Sequence, residues 1–223
     1  MKKVLSAIVL LLLVSSISFA QLGIRGGLSV ATWTGGDKSM PLSSFATGMP
    51  GSIDPIARAG FAAGVSYKIG LILGLAIEPG VFYVQGGSKY EIPNTSSGTY
   101  SISGTITNKY DYLQIPIVVK FTLPIPFLSP YVEGGIAYNI LMSAKMAVDM
   151  TAKVGTISQS TSAETDMKDN ANKSDVSLVL GAGVELFFLD VNARLVLGQS
   201  KLDKDAKVDI KNQAFVITAG IRL

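Results

Sequence analysis

Nine charged residues are set singly into otherwise apolar or small-residue stretches: Arg25, Lys68, Glu78, Lys120, Glu133, Glu185, Asp190, Arg194 and Arg222. Carboxylates of this kind could pair as general acid and base. They could instead face guanidinium and ammonium groups and be held in ion pairs. Five bases against four acids favour ion pairing. The sequence contains no histidine and no cysteine. A Ser-His-Asp triad is therefore impossible, as is a His/Cys zinc site. Asp166, Asp169 and Asp175 offer oxygen donors to calcium, but their spacing fits no EF-hand, and a solvated loop is the better reading. Gly181-x-Gly183 lacks the third glycine and the strand-to-helix setting of a dinucleotide site. Asn94-Thr95-Ser96 and Asn172-Lys173-Ser174 match the glycosylation pattern, which short sequences meet by chance. No cofactor and no metal are implied, and the reading is non-enzymatic.

These charges sit on elements with a period of two. In residues 176–199, Val176, Leu178, Leu180, Ala182, Val184 and Leu186 share one face, while Ser177, Gly181, Gly183 and Glu185 share the other with Val179. A turn at about 187–190 follows. Leu189, Val191, Ala193, Leu195 and Leu197 then oppose Asp190, Asn192, Arg194 and Gly198, with Val196 among them. This alternation is that of a strand between two unlike environments. It recurs in 22–33, 57–69, 72–85, 109–122, 131–144 and 212–223, giving eight strands. Long connections at 34–56, 86–108, 145–175 and 200–211 alternate with short ones near Gly70, at 123–130 and at 187–190. The polar stretch 86–107 still alternates in part, so the flanking strands are expected to extend there as a hairpin.

The chain opens with Lys2 and Lys3, an apolar run from Val4 to Val14, and Ser18-Phe19-Ala20. This predicts a secretory signal peptide over 1–20, with 21–223 as one barrel domain. Removing the two lysines leaves 17 basic and 16 acidic residues from the 19 and 16 of the whole chain. Nothing then supports nucleic-acid binding, which needs a basic patch. Hydrophobic residues make up 48% of the chain. After residue 20 they are spread by alternation and never form the run of ~18 or more that a transmembrane helix needs.

An even strand number with short turns at one end and long loops at the other is the plan of an outer-membrane barrel. The competing architecture is a soluble eight-stranded barrel with its apolar parity inside. The polar parity decides: it is mainly Gly, Ala and Ser, with about one charge per strand, which suits a narrow lumen better than a water-facing surface. The fold expected is thus all-β, an eight-stranded antiparallel up-and-down transmembrane β-barrel with a lumenal ion-pair network. Trp33, Tyr83, Tyr110 and Tyr112 at the outer ends, and Tyr67, Phe121, Tyr131, Phe187 and Phe188 at the inner ends, are expected to form two aromatic girdles. Pro79 and Pro116 fall within strands, where bulges or broken ladder bonds are expected.

Three segments carry a family resemblance. Gly23 to Ser29 (GIRGGLS), Tyr112 to Lys120 (YLQIPIVVK) and Pro130 to Gly135 (PYVEGG) resemble, in order, strands of the PorT-like outer-membrane β-barrel proteins. The resemblance spans essentially the whole mature chain. It implies an outer-membrane location and little about activity, because most members lack an assigned function; some are linked to secretion and surface assembly.

The expected function is partner binding or support of surface assembly through the long outer loops, by a monomer whose partners are the outer-membrane bilayer and proteins. A narrow channel for small or hydrophobic solutes is the second reading. A soluble exported barrel that binds a hydrophobic ligand is the third.

Overall fold

The computed structural model describes residues 20–36, 38–44, 51–97, 100–123, 125–202 and 209–223. The signal peptide read over 1–20 lies outside the described residues except for Ala20, which is the first residue of β1. The strands are β1 (Ala20–Gly35), β2 (Met40–Pro41), β3 (Ser52–Ile53), β4 (Ile56–Gly70), β5 (Leu75–Ser97), β6 (Tyr100–Thr122), β7 (Ser129–Val154), β8 (Ile157–Asp166), β9 (Ser174–Leu186), β10 (Leu189–Gly198) and β11 (Ile210–Arg222). Eight of them close a ring in the order β6-β5-β4-β1-β11-β10-β9-β7, with β7 pairing back to β6. Every pairing in the ring is antiparallel.

The alternation of the sequence becomes an alternation of environment. In β9, Val176, Leu178 and Leu180 are exposed on the outer wall, while Ser177 and Val179 are buried. Leu28, Ile117, Val132, Ile136 and Ile217 stand exposed in the same way around the wall. A water-soluble barrel would turn these side chains inward, so the soluble reading is corrected. No helix among the described residues is long and apolar enough to cross a membrane. Here the strands do the crossing.

Two connections depart from the sequence reading. Residues 145–175 are not simply a loop: β7 continues to Val154 and turns back as β8, which pairs with it from Lys145↔Asp166 to Val154↔Ile157. The register between β6 and β7 shifts at Asp111/Tyr112, where Met142 is an extra residue. A bulge of this kind moves all later side chains of its strand to the opposite face. The buried positions of β7 accordingly change from odd (Glu133, Ala137, Asn139, Leu141) to even (Ala144). Residues 34–56 also hold structure, the small β2–β3 hairpin. Above the wall, β5, β6, β7 and β8 form a four-stranded sheet. Its inner face carries Tyr90, Ile92 and Ile106, with Met146, Val148 and Met150 packed against them. Ile53, Met40, Leu42 and Trp33 complete that cluster, so the first long connection folds onto the sheet.

Pro79 and Pro116 lie at gaps in the ladder. The β5–β6 register passes from Pro79↔Ile117 to Phe82↔Gln114 with no pair at Gly80 or Val81. The β4–β5 register likewise skips Tyr67 and Lys68 against Pro79 and Glu78. Proline has no N–H to give, so both interruptions fall where the donor is missing.

Candidate functional site

The lumen is filled in layers, beginning at the end that carries the short turns. Strand alternation points Arg25 (β1), Lys68 (β4), Glu78 (β5), Lys120 (β6), Glu133 (β7), Glu185 (β9), Asp190 and Arg194 (β10) and Arg222 (β11) inward, and the structure brings all nine into one connected network. Glu78 accepts from Arg25, from Lys120 Nζ at 3.3 Å and from Arg222 Nη2 at 3.2 Å. Asp190 faces Arg25 Nη2 at 3.0 Å and pairs with Arg222, while the Tyr131 hydroxyl donates to it at 2.6 Å. Glu185 takes Lys68 Nζ at 2.8 Å and Lys120 Nζ at 2.8 Å. Glu133 takes Arg194 Nε at 2.5 Å and Asn192 Nδ2 at 3.0 Å. The two halves join where Arg194 Nη2 comes within 4.0 Å of Glu78.

Backbone register explains how these contacts arise. Asp190 and Glu185 are direct cross-strand neighbours, a like-charged pairing that is unfavourable alone. Lys120 and Arg222 each reach both carboxylates and offset that repulsion. Glycine acts as a spacer between strands. Gly181 of β9 lies between Glu133 of β7 and Arg194 of β10, and a Cβ there would come 2.8 Å from Glu133 Oε1. Gly183 lies in the same way between Tyr131 and Asn192, and its Cβ would meet the Tyr131 ring at 2.5 Å. The side chains of second-neighbour strands can thus meet over an empty position. Lys120 Nζ also sits 3.4 Å from the centroid of the Tyr131 ring, a cation–π contact.

Above the charges, Ala31, Ala62, Phe82, Val84, Val196, Ala214 and Val216 form an apolar layer, and Val118, Ala137 and Val179 a second cluster. Val179 and Val196, the bulky apolar residues on the polar parity of β9 and β10, are therefore packing groups of the lumen. A polar layer follows. Gln114 Nε2 donates to Asn139 Oδ1 at 2.9 Å, Asn139 Nδ2 donates to Ser177 Oγ at 2.6 Å, and Ser177 Oγ donates to Asp175 at 3.0 Å. Asp175 also accepts the Ser200 N–H at 2.8 Å. It is a buried residue of β9 rather than part of a solvated acidic loop. Gln114, Asn139 and Ser177 lie on the inward parity of β6, β7 and β9, and period-two alternation alone gives them no role. Among the described residues, no cluster of three or more carboxylates is arranged to hold a metal ion.

A family profile described as "Outer membrane protein beta-barrel domain" matches residues 15–204. The chain belongs to this family. As an outer-membrane β-barrel, the protein resides in the outer membrane, with its eight strands crossing the bilayer. Among solved structures it is similar to Ail, the attachment invasion locus protein of Yersinia pestis, at 15% identity, covering 92% of this chain and 99% of that one, with a TM-score of 0.39. It is similar to Neisserial surface protein A at 12% identity, covering 91% and 96%, with a TM-score of 0.42. The outer membrane enzyme PagL is similar at 12% identity, covering 87% and 97%, with a TM-score of 0.34. No curated protein matches the sequence.

In an outer-membrane barrel, short turns face the periplasm and long loops the exterior. Of the nine aromatics expected at the two interfaces, the structure places Tyr67, Phe121, Phe187 and Phe188 exposed at the inner end. Tyr83 lies toward the outer end with its ring 5.3 Å from Phe61. The other four are corrected. Tyr131 is buried in the lumen against Asp190, because it shares the inward parity of Glu133. Tyr112 is buried with Leu141, Ala144 and Ala171. Tyr110 stacks on Tyr112 at 6.4 Å and meets Trp33 edge-on at 5.9 Å. Trp33 in turn packs on Tyr90 at 6.2 Å. These last four fill the barrel and its outer cap instead of meeting lipid headgroups.

Outside the bilayer, Glu164 and Tyr90 are displaced from their ordinary titration. Glu164 of β8 accepts hydrogen bonds from Lys109 at 2.8 Å and Lys145 at 2.8 Å. These bonds and the two charges hold its carboxyl down at about 2. Tyr90 donates its hydroxyl to the Lys38 carbonyl at 2.8 Å, and burial, with the charge of Asp54, pushes it up to about 12.

Proposed function

We propose that the protein is a non-enzymatic, closed outer-membrane barrel that works through its outer sheet, binding a partner or supporting surface assembly. The observation that carries this reading is the nine-residue charge network. Buried ion pairs are costly to desolvate unless each charge is matched, and here every carboxylate has two or more donors. With the apolar and amide layers above, the network leaves the lumen a packed core, which supports a scaffold better than a conduit. The elements left to make contacts are then the four-stranded outer sheet and its β2–β3 hairpin, held on a rigid barrel. The PorT-like motifs GIRGGLS, YLQIPIVVK and PYVEGG favour a role in secretion or surface assembly. The absence of histidine from the sequence supports the non-enzymatic reading.

Planar-bilayer recording of the purified barrel tests this. Silence is expected for the wild-type protein, together with capture of partner proteins when intact cells are cross-linked from outside. Stepwise single-channel conductance in the wild-type protein would instead establish the channel reading.

A further inference from the structure

The three inner turns differ from ordinary water-facing turns. Their sequences are GLILG (70–74), LPIPFLSP (123–130) and LFFL (186–189), which together contain no charged residue and one polar side chain, Ser129. Each holds a bulky residue in left-handed backbone: Leu73 at φ 56°, Phe127 at 69° and Phe187 at 54°. Glycine or asparagine meets that geometry with less strain. Yet these three side chains are 87%, 76% and 79% exposed, with Ile72, Phe188 and Leu223 exposed beside them. The Phe127 and Phe187 rings lie 5.9 Å apart and link two turns.

Several backbone groups at the turns are paired within the protein. Leu71 N donates to Leu75 O at 2.7 Å, Thr122 N to Gly74 O at 2.8 Å, Leu123 N to Pro130 O at 2.9 Å and Arg222 N to Phe188 O at 2.7 Å. Internal satisfaction of this kind is what a hydrocarbon setting demands.

The length of the apolar wall points to the same setting. On β10 the outward apolar row runs from Leu189 to Leu197, and on β7 from Val132 to Ile140. Eight rises at about 3.3 Å, tilted by about 40°, give roughly 20 Å of height, against an apolar band of about 25 Å. Rows of that length fall short of the band by about the depth of one turn, whereas on β9 the row runs on from Val176 to Leu186 at the turn itself.

We propose that the three turns, tipped by Leu73, Phe127 and Phe187, are embedded in the acyl layer of the periplasmic leaflet. The occupant of this surface is phospholipid. A protein partner would be met by a polar rim and hydrogen-bonding groups, which these segments lack. The barrel therefore ends within the inner leaflet, with Lys68 and Glu185 paired inside the lumen just above the turns.

The cysteine-free chain allows single-site labelling. Leu73→Cys, Phe127→Cys and Phe187→Cys, each carrying a fluorophore, are refolded into phosphatidylethanolamine/phosphatidylglycerol vesicles with brominated acyl chains. Val132→Cys on the lipid wall and Ser160→Cys on the outer sheet are the references. The turn labels should be quenched by the bromolipid as strongly as the Val132 label and shielded from iodide relative to the Ser160 label. Iodide access equal to the Ser160 label, without bromolipid quenching, would overturn the proposal and leave the patch as a protein-docking surface in the periplasm. A second variant covers misfolding of labelled chains. Leu73→Gly/Phe127→Gly/Phe187→Gly suits the turn geometry and should refold in detergent with its heat-dependent gel mobility intact. It should then insert best into vesicles of shorter acyl chains than the wild-type protein prefers; an unchanged thickness optimum would also count against embedding.

Discussion

Glu133 is the residue at which the lumen tolerates least. Its carboxylate is the partner of Arg194 and accepts from Asn192, and all three side chains are buried. Glu133→Ala strands a guanidinium in the barrel, a change that costs about 3–5 kcal/mol when a buried pair loses one member. The urea midpoint of the refolded protein in detergent should fall accordingly. Glu133→Ala/Arg194→Ala should recover part of the loss, with a coupling of roughly 0.5–3 kcal/mol. An unchanged midpoint in the single variant would sink the idea of an enclosed network. The sequence made the inward direction of all nine charges legible, because alternation needs only the neighbouring residues. It could not supply their partners. Lys68 and Glu185 meet from β4 and β9, strands that are not neighbours in the ring, and such contacts depend on the stagger of the closed barrel. Tyr131 shows the opposite error. Its parity matched Glu133 and pointed inward, but its position near a strand end suggested an interface.

At the scale of elements, the outer sheet was the least legible part. Polar composition over 145–166 resembles a loop, and the extra residue at Met142 reverses the parity of β7 midway, so a fixed period of two ends where the strand does not. Ion pairs hold the β8 margin of this sheet. Glu164 joins Lys109 of β6 to Lys145 of β7, and its carboxyl titrates at about 2 instead of the usual 4.5. A carboxyl with a lowered folded-state pKa contributes support above its unfolded value and loses it as pH falls through the folded one. Docking of β8 should therefore weaken between about pH 4.5 and 2. Amide exchange should rise selectively in residues 157–166 over that window while the β9–β10 hairpin stays protected. Glu164→Gln should show the faster exchange already at neutral pH and flatten the acid dependence. Equal acid sensitivity in both hairpins would refute a local role for Glu164.

For the whole molecule, the question is whether the barrel and its outer sheet are separable in stability. Ring closure uses β7 only over its first half, where Ser129–Ile140 pairs with β9 and Tyr131–Leu141 pairs with β6. The second half pairs with β6 and β8 above the wall, beyond the roughly 9–11 residues a strand needs to cross the bilayer. The charge network, both apolar clusters of the lumen and the amide layer all lie within the ring below that level. Replacing residues 147–164 with a short turn should therefore leave the barrel intact. Its unboiled gel mobility shift should persist, and its urea midpoint should stay close to that of the wild-type protein. The clusters that lose packing are those of the cap, where Met150 and Val148 rest against Ile92 and Ile106, so the β2–β3 hairpin should become accessible to protease. If partner capture from the cell surface disappears while the mobility shift is retained, the outer sheet is the working part of a passive scaffold. If capture persists in the shortened protein, binding resides elsewhere on the barrel, and the division of labour proposed between filled lumen and outer sheet is wrong.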